Sequence, residues 1–380
     1  MPILTRYVGE ICLNCFDKLC GERSTNIICL YNIMFTNRRA RKANATAMYY
    51  KNKLNEHFSP HNGIIPELAE IDDIPLTTTI YVDFLRTDAY SETGTRKYPF
   101  KTLAAAYTLA VSGTGQKNIV LLSGNTVAEN ITFSKGHIFL IGENSSGTHA
   151  PIIFYGSLTF TGPNTSISEN HFAVSGIELI GVSGTDVLTF SGSYPQRLFL
   201  RDVWITANGT AHGINMTNVG SGSTLHTNDC KFSHNGSGDY HCINVAAGTA
   251  NIDSSETSGV TIGVIGVANG TCNITNSDIQ SSGAYAIDVY ANGVLTLANC
   301  KISTTAANSD GIKLMNATSL LVAGNVSFSV PTGDGRAIYG IAGSTLYYGP
   351  TYFLPIGISS SNNKINVPNR VPIPTTPSYT

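Results

Sequence analysis

LRDVWI (200–205), TNDCKF (227–232), ITNSDI (274–279), LANCKI (297–302) and AGNVSF (323–328) are five versions of one six-residue block. A sixth, degenerate version, IDSSET (252–257), sits between the second and third. The blocks end at Ile205, Phe232, Thr257, Ile279, Ile302 and Phe328. A second apolar anchor follows each: Ile214, Ile243, Val264, Ile287, Ile312 and Ile338. A third element opens on Gly222, Gly248, Gly270, Gly293 and Gly343, with Ala317 in the remaining slot. Successive anchors lie 21 to 29 residues apart.

A period in the twenties built from short β-type segments is the signature of a solenoid. Three strands per turn, parted by Gly, Asn, Ser and Asp corners, predict an all-β fold, a right-handed parallel β-helix. Leucine-rich repeats share the period but need a recurrent Leu lattice, which is missing. One coil cannot bury its own apolar face, so each must stack on the last and hydrogen-bond to it at about 4.8 Å. Residues 117–195 read as earlier coils, with Ile177 as the anchor one turn before Ile205.

Composition fits such a rod. Of 380 residues only 13% are charged while 42% are hydrophobic, so the chain has enough apolar surface to fold. The formal net charge of −2 gives no reason to expect a nucleic-acid partner. Residues 1–75 differ from the rest: positions 1–53 hold nine Lys/Arg against three Asp/Glu. This head contains Cys12, Cys15, Cys20 and Cys29, spaced as a zinc site, a disulfide-linked knot or a set of buried thiols would allow. Arg38, Arg39, Arg41 and Lys42 form a basic run suited to a solvated helix face or an acidic partner. Arg6, Glu10, Asp17 and Lys18 interrupt any signal-peptide core, and no run is long enough to span a membrane. Pro60, Pro66 and Pro75 mark a linker. The expected organisation is a head and linker over 1–75, a β-helix over 76–350 and a Pro-rich extended tail over 351–380.

The text changes at TIYVDFLRTDAYSETGTRKYPFKTLAAAYTLA, which begins at Thr79. A strand at 80–83 and a turn-rich loop at 91–98 lead to helical spacing over 100–111, in Phe100, Leu103, Ala104, Tyr107, Ala110 and Val111. A solenoid needs such a cap, expected over 79–111, to close its open end. Tyr81, Val82, Asp83, Asp88, Gly94, Pro99, Phe100, Lys101 and Thr102 resemble the opening segment of pectate-lyase-like β-helix proteins of the phage tail-spike and virion-fibre type. The resemblance implies a virion-surface shaft, a homotrimer, a head that docks to capsid or tail proteins, and contact with host-surface glycans. It specifies the fold better than the activity, because lyases, hydrolases and inert spikes share it.

Catalytic signals are thin. SGDYHCINV (237–245) resembles a stretch of polygalacturonase-like hydrolases, but Tyr240 and His241 stand between Asp239 and Cys242 where a second aspartate belongs. If the chain is an enzyme, a polysaccharide hydrolase or lyase, Asp229, Asp239 and His241 are the candidate catalytic residues. No cofactor is expected, and no Asp cluster recurs on adjacent coils in a way that would hold Ca²⁺. Cys230, Cys242, Cys272 and Cys300 read as small core residues. The eleven N-x-S/T sequons follow from Asn and Thr abundance at coil corners. Two residues before each second anchor stands a mixed polar set: His212, His241, Ile262, Tyr285, Asp310 and Arg336. Regular alternation would point this set inward, so the corner must break it and leave the set outside. His241, Tyr285, Asp310 and Arg336 are therefore the candidate ligand-binding residues, with Tyr285 stacking on a sugar.

Overall fold

A computed structural model describes residues 79–113, 115–143, 151–162, 170–220, 222–236, 238–259, 263–315, 319–322, 325–331, 335–341, 344–348, 365–366 and 369–372. The expectations for Cys12, Cys15, Cys20, Cys29 and the basic run at 38–42 lie outside the described residues.

The chain winds as a parallel β-helix. Each coil contributes one strand to each of three faces. The first face is a twelve-stranded sheet that includes Gln196–Arg201, Thr224–Asn228, Thr249–Asp253, Thr271–Thr275 and Val294–Ala298. The second includes Trp204–Ala207, Lys231–His234, Glu256–Gly259, Asp278–Ser281, Cys300–Thr304 and Val326–Ser329. The third includes Ile214–Val219, Ile243–Val245, Ile265–Val267, Tyr285–Tyr290, Asp310–Met315 and Ile338–Gly340. Strand Ile152–Phe160 turns the corner between the second and third faces, which joins them into one seventeen-stranded sheet.

Period-two alternation sends one side of every strand inward, and the register stacks like on like. On the second face Ile205, Phe232, Thr257, Ile279, Ile302 and Phe328 pair in sequence, all of them buried. The expected second anchor is off by one residue in one coil: Ile214, Ile243, Ile265, Ile287, Ile312 and Ile338 form the ladder, so Ile265 takes the place assigned to Val264. Both are fully buried, because at this corner two consecutive residues point inward. Likewise Leu179, not Ile177, is the partner of Ile205; both face inward on the same strand, two residues apart. Outside the second face runs Glu178, Trp204, Lys231, Glu256, Asp278 and Lys301, with ion pairs at 3.4 Å (Lys231–Glu256) and 3.2 Å (Lys301–Asp278). These are exposed and contribute about 0–1 kcal/mol each.

The corner from the first face to the second is one left-handed residue wide: Asp202, Asp229, Ser254, Asn276 and Asn299 have φ of 51°, 54°, 47°, 51° and 55°. Asn and Asp tolerate this region because their short polar side chains bond locally. Here Asn276 and Asn299 also bond to the preceding coil. Asn276 Nδ2 donates to Asp253 Oδ1 at 2.8 Å and Asn299 Nδ2 to Asn276 Oδ1 at 3.4 Å.

The cap helix is Leu103–Ser112, three residues shorter at its start than its apolar spacing implies. Thr102 ends the extended segment and accepts the Ala105 N–H in its side chain, while Phe100 bridges to Val82. Leu103, Ala106 and Ala110 are buried, and the Tyr107 ring meets Phe133 edge-on at 4.9 Å. Gly94, at φ 74°, leaves room for the Phe100 ring, which a Cβ there would approach to 2.7 Å. Asp83 accepts the Ser123 hydroxyl at 2.6 Å, tying the cap to the first coil. At the other end the ladder continues past residue 350: Ile365–Asn366 pairs with Ile338 and Tyr339, and Asn369–Pro372 with Thr345–Tyr348.

Candidate functional site

The corner entering the third face breaks alternation as the polar set requires. Cys242 and Ile243, Val264 and Ile265, Ala286 and Ile287, and Ala337 and Ile338 are consecutive buried pairs. The residue before each pair is thereby turned out of the core, although His241 and Asp310 stay buried beneath their neighbours. The resulting row is Asp186, His212, His241, Gly263, Tyr285, Asp310 and Arg336. Gly263 holds the slot expected for Ile262, which lies outside the described residues; the substitution follows from the one-residue shift at Ile265.

This row first serves the backbone. Asp186 Oδ1 accepts the His212 N–H at 2.8 Å, His212 Nδ1 accepts the His241 N–H at 3.0 Å, and Asp310 Oδ1 accepts the Arg336 N–H at 3.0 Å. Each side chain thus satisfies an amide on the following coil that leaves the ladder at the corner. The His212 and His241 rings stack at 5.6 Å, and burial is the main cause lowering both pKa values, that of His212 to about 4. Both therefore stay neutral near pH 7. His241 Nδ1 lies 2.8 Å from the Gly263 carbonyl, so it carries the proton and Nε2 is left as an acceptor. Arg336 holds Asp310 through Nε at 2.9 Å and Nη2 at 3.1 Å, and its guanidinium lies 3.5 Å from the Tyr339 ring centre. Asp310 is 5% exposed, so this pair is largely buried on the carboxylate side.

A second outer row, one residue after each anchor, runs beside the first: Asn215, Asn244, Gly266, Asp288, Lys313 and Tyr339. Asn215 Nδ2 donates to Asp186 Oδ2 at 2.6 Å, and Asn244 Nδ2 donates to Asn215 Oδ1 at 2.9 Å. Gly266 interrupts this chain of amides. Asn244 Oδ1 and Asp288 Oδ1, on either side of the interruption, are buried without a hydrogen-bond partner. The rings beside them lean into the space that the glycines leave: a Cβ on Gly266 would meet His241 Nε2 at 2.4 Å, and one on Gly263 would meet Tyr285 Cε2 at 3.0 Å. Burial, and then Asp239, push the Asp288 pKa up to about 6, with Lys313 and Tyr285 opposing. Burial and the neighbouring Asp288 carboxylate raise the Tyr285 phenol. The Lys313 ammonium sits 4.7 Å from the Tyr285 ring centre, so one face of that ring already carries a cation.

His241, Tyr285, Asp310 and Arg336 thus share one outer row, and Tyr285 and Asp310 are register partners. Asn215, Asn244, Asp288, Lys313 and Tyr339 complete the surface, and sequence reasoning passed over them. Their signal was present: each directly follows an Ile anchor, where alternation points outward. The catalytic candidates are divided. Asp239 and His241 belong to this corner, whereas Asp229 sits at the left-handed corner on the other side of Lys231–His234. Burial, Asp202 and Asp253 raise the Asp229 pKa. Cys230, Cys242, Cys272 and Cys300 are buried free thiols, all shifted upward by burial. A cleft of about 490 Å³ beside the cap contains Lys101 and Glu129, but Glu129 is occupied in accepting the Leu103 and Ala104 N–H groups at the helix start. Among the described residues no group of three or more His, Cys, Asp or Glu is placed to hold a metal ion, and no helix is long and apolar enough to cross a membrane.

Fold and surface together define a parallel β-helix protein with a polar strip along one face. Compared with known proteins, the chain matches no protein family, no curated protein and no solved structure.

Proposed function

We propose that this protein is the shaft of a virion fibre or tail spike, and that its third face meets a glycan on the host surface. The observation that carries the reading is the paired outer rows, which repeat polar and aromatic groups along the rod at the coil spacing of about 4.8 Å. An extended saccharide chain laid along the axis would meet a new set of groups at every coil. The opening segment at 79–102 supports the virion assignment through its resemblance to spike proteins. On the same ground the shaft is a homotrimer at the virion surface, with residues 1–75 docking to capsid or tail proteins.

A polysaccharide-degrading enzyme is the second reading. It is favoured by Asp288, whose pKa near 6 with Asp239 close by is the kind of carboxyl pair that hydrolases use as acid and base. A polysaccharide panel separates the two. A shaft retains glycan on an array and releases no new reducing ends or unsaturated products over hours, whereas time-dependent release would make the protein an enzyme.

A further inference from the structure

One corner between the second and third faces is fastened at both ends by histidine rings. His234 closes the strand Lys231–His234; its Nε2 donates to the Ala211 carbonyl at 2.7 Å, and its Nδ1 accepts the Gly236 N–H at 3.0 Å. At the far end of the same corner, His212 Nδ1 on the preceding coil accepts the His241 N–H at 3.0 Å. Each ring uses a nitrogen that accepts a hydrogen bond only while the imidazole is neutral. His241 adds a third tie, donating from Nδ1 to the Gly263 carbonyl at 2.8 Å. His234 and His241 are both buried.

Other coils fasten the equivalent amide with a carboxylate: the His212 N–H goes to Asp186 and the Arg336 N–H to Asp310. A carboxylate goes on accepting down to about pH 4, whereas a free imidazole loses its acceptor at about pH 6.5. Burial is the largest influence on the three histidines and lowers the pKa of each, that of His212 to about 4. Asp186 opposes this at His212 and Asp239 at His241, while the histidines themselves reinforce it at both. The other titratable groups facing the cluster are Tyr240, whose ring lies 5.3 Å from that of His212, the buried Cys242 thiol, and Tyr285 and Asp288, which border Gly263.

We infer that the corner from His234 to His241 is an acid-released latch: neutral His212 and His234 hold it shut, and protonation of these rings frees it while the neighbouring coils stay wound. A freed ring takes its proton at about 6.5 and the held His212 ring only at about 4, so the closed corner keeps its full advantage above about pH 6.5 and loses it as pH falls. At about pH 4.5 the difference at His212 alone favours opening by up to about 80-fold. Asp239, carried on this corner, then leaves the strip, where it acts on Tyr285 and Asp288. The latch works whatever the strip binds.

The test is hydrogen exchange read by mass spectrometry on the full chain at about pH 7.5 and about pH 4.5, corrected for the intrinsic pH dependence of exchange. Protection of the Gly236 and His241 amides falls at least about tenfold in acid, while that of the Arg336 amide, held by Asp310, does not. This comparison of two corners in the parent needs no variant. His212→Asn and His234→Gln supply side-chain acceptors that do not titrate, and each reduces the acid loss. His226→Asn leaves the loss as in the parent, because His226 is a buried first-face ring whose nitrogens meet the Thr224 and Asn251 side chains. Equal protection of the Gly236 and His241 amides at the two pH values would overturn the latch, as would an equal fall at the Arg336 corner. An acid loss undiminished in both His212→Asn and His234→Gln would overturn it too.

Discussion

Asp288 is held away from the state that a carboxylate prefers. Its folded pKa of about 6 lies above the 3.8 of a free aspartate side chain, so ionisation opposes folding. The penalty is absent below about pH 4, grows as pH rises through about 6, and then stays constant at up to about 3 kcal/mol. Tyr285, Lys313 and Asp239 face the group and set this window. Asp288→Asn should flatten that part of the stability–pH curve and raise stability at pH 7, as measured by urea unfolding at pH 4 and pH 7. An unchanged slope would place its origin in other carboxylates. Arg336→Ala should act in the opposite direction. It strands the buried Asp310 carboxylate and should lower stability by about 3 kcal/mol, read as a fall in melting temperature, so it is a poor probe of ligand contact.

At the scale of the strand, the inward columns decide what the sequence can tolerate. Ile302 is fully buried between Ile279 and Phe328, and Ile302→Asp should cost at least about 4 kcal/mol and block folding, seen as loss of soluble protein. Thr257 is the degenerate member of the same column, its hydroxyl buried without a partner beside Phe232 and Ile279. Thr257→Val should therefore stabilise by about 1 kcal/mol, raising the urea midpoint. The columns were legible in the sequence because a strand's period of two fixes which residues face inward. Where two apolar residues both qualified, the text was ambiguous: Val264 against Ile265 at a corner that turns both inward, Ile177 against Leu179 on one alternating strand. The left-handed corner was written in Asp202, Asp229, Asn276 and Asn299, residues that adopt positive φ readily. The broken alternation at this corner was legible in its mixed polar set, whereas the burial of His241 and Asp310 there was not. Nor was the bonding of the row, since His241 bonds to Gly263 22 residues away and His212 to His241 across 29. Such pairings exist only once the coils are stacked in register.

For the whole molecule, a solenoid's stability is a sum over coils and their neighbours. A fragment that keeps the cap and every coil should then fold without the head. Residues 76–380 expressed alone should show a cooperative thermal transition within a few degrees of the full chain's, and should no longer be incorporated into particles if residues 1–75 dock. A truncated shaft that assembled normally would move docking elsewhere. The faces differ in chemistry: charged groups of both signs outside the second, paired polar rows outside the third. The most direct test of the third face as the contact surface is to block one face at a time. Lys313→Cys on the third face and Lys301→Cys on the second are each coupled to a bulky maleimide polymer, with the parent chain treated identically as control, while Cys230, Cys242, Cys272 and Cys300 stay protected by burial. The adduct at position 313 should reduce glycan binding at least tenfold and the adduct at 301 should leave it unchanged. Equal binding by the two adducts, or loss only at 301, would contradict the assignment of the third face as the contact surface.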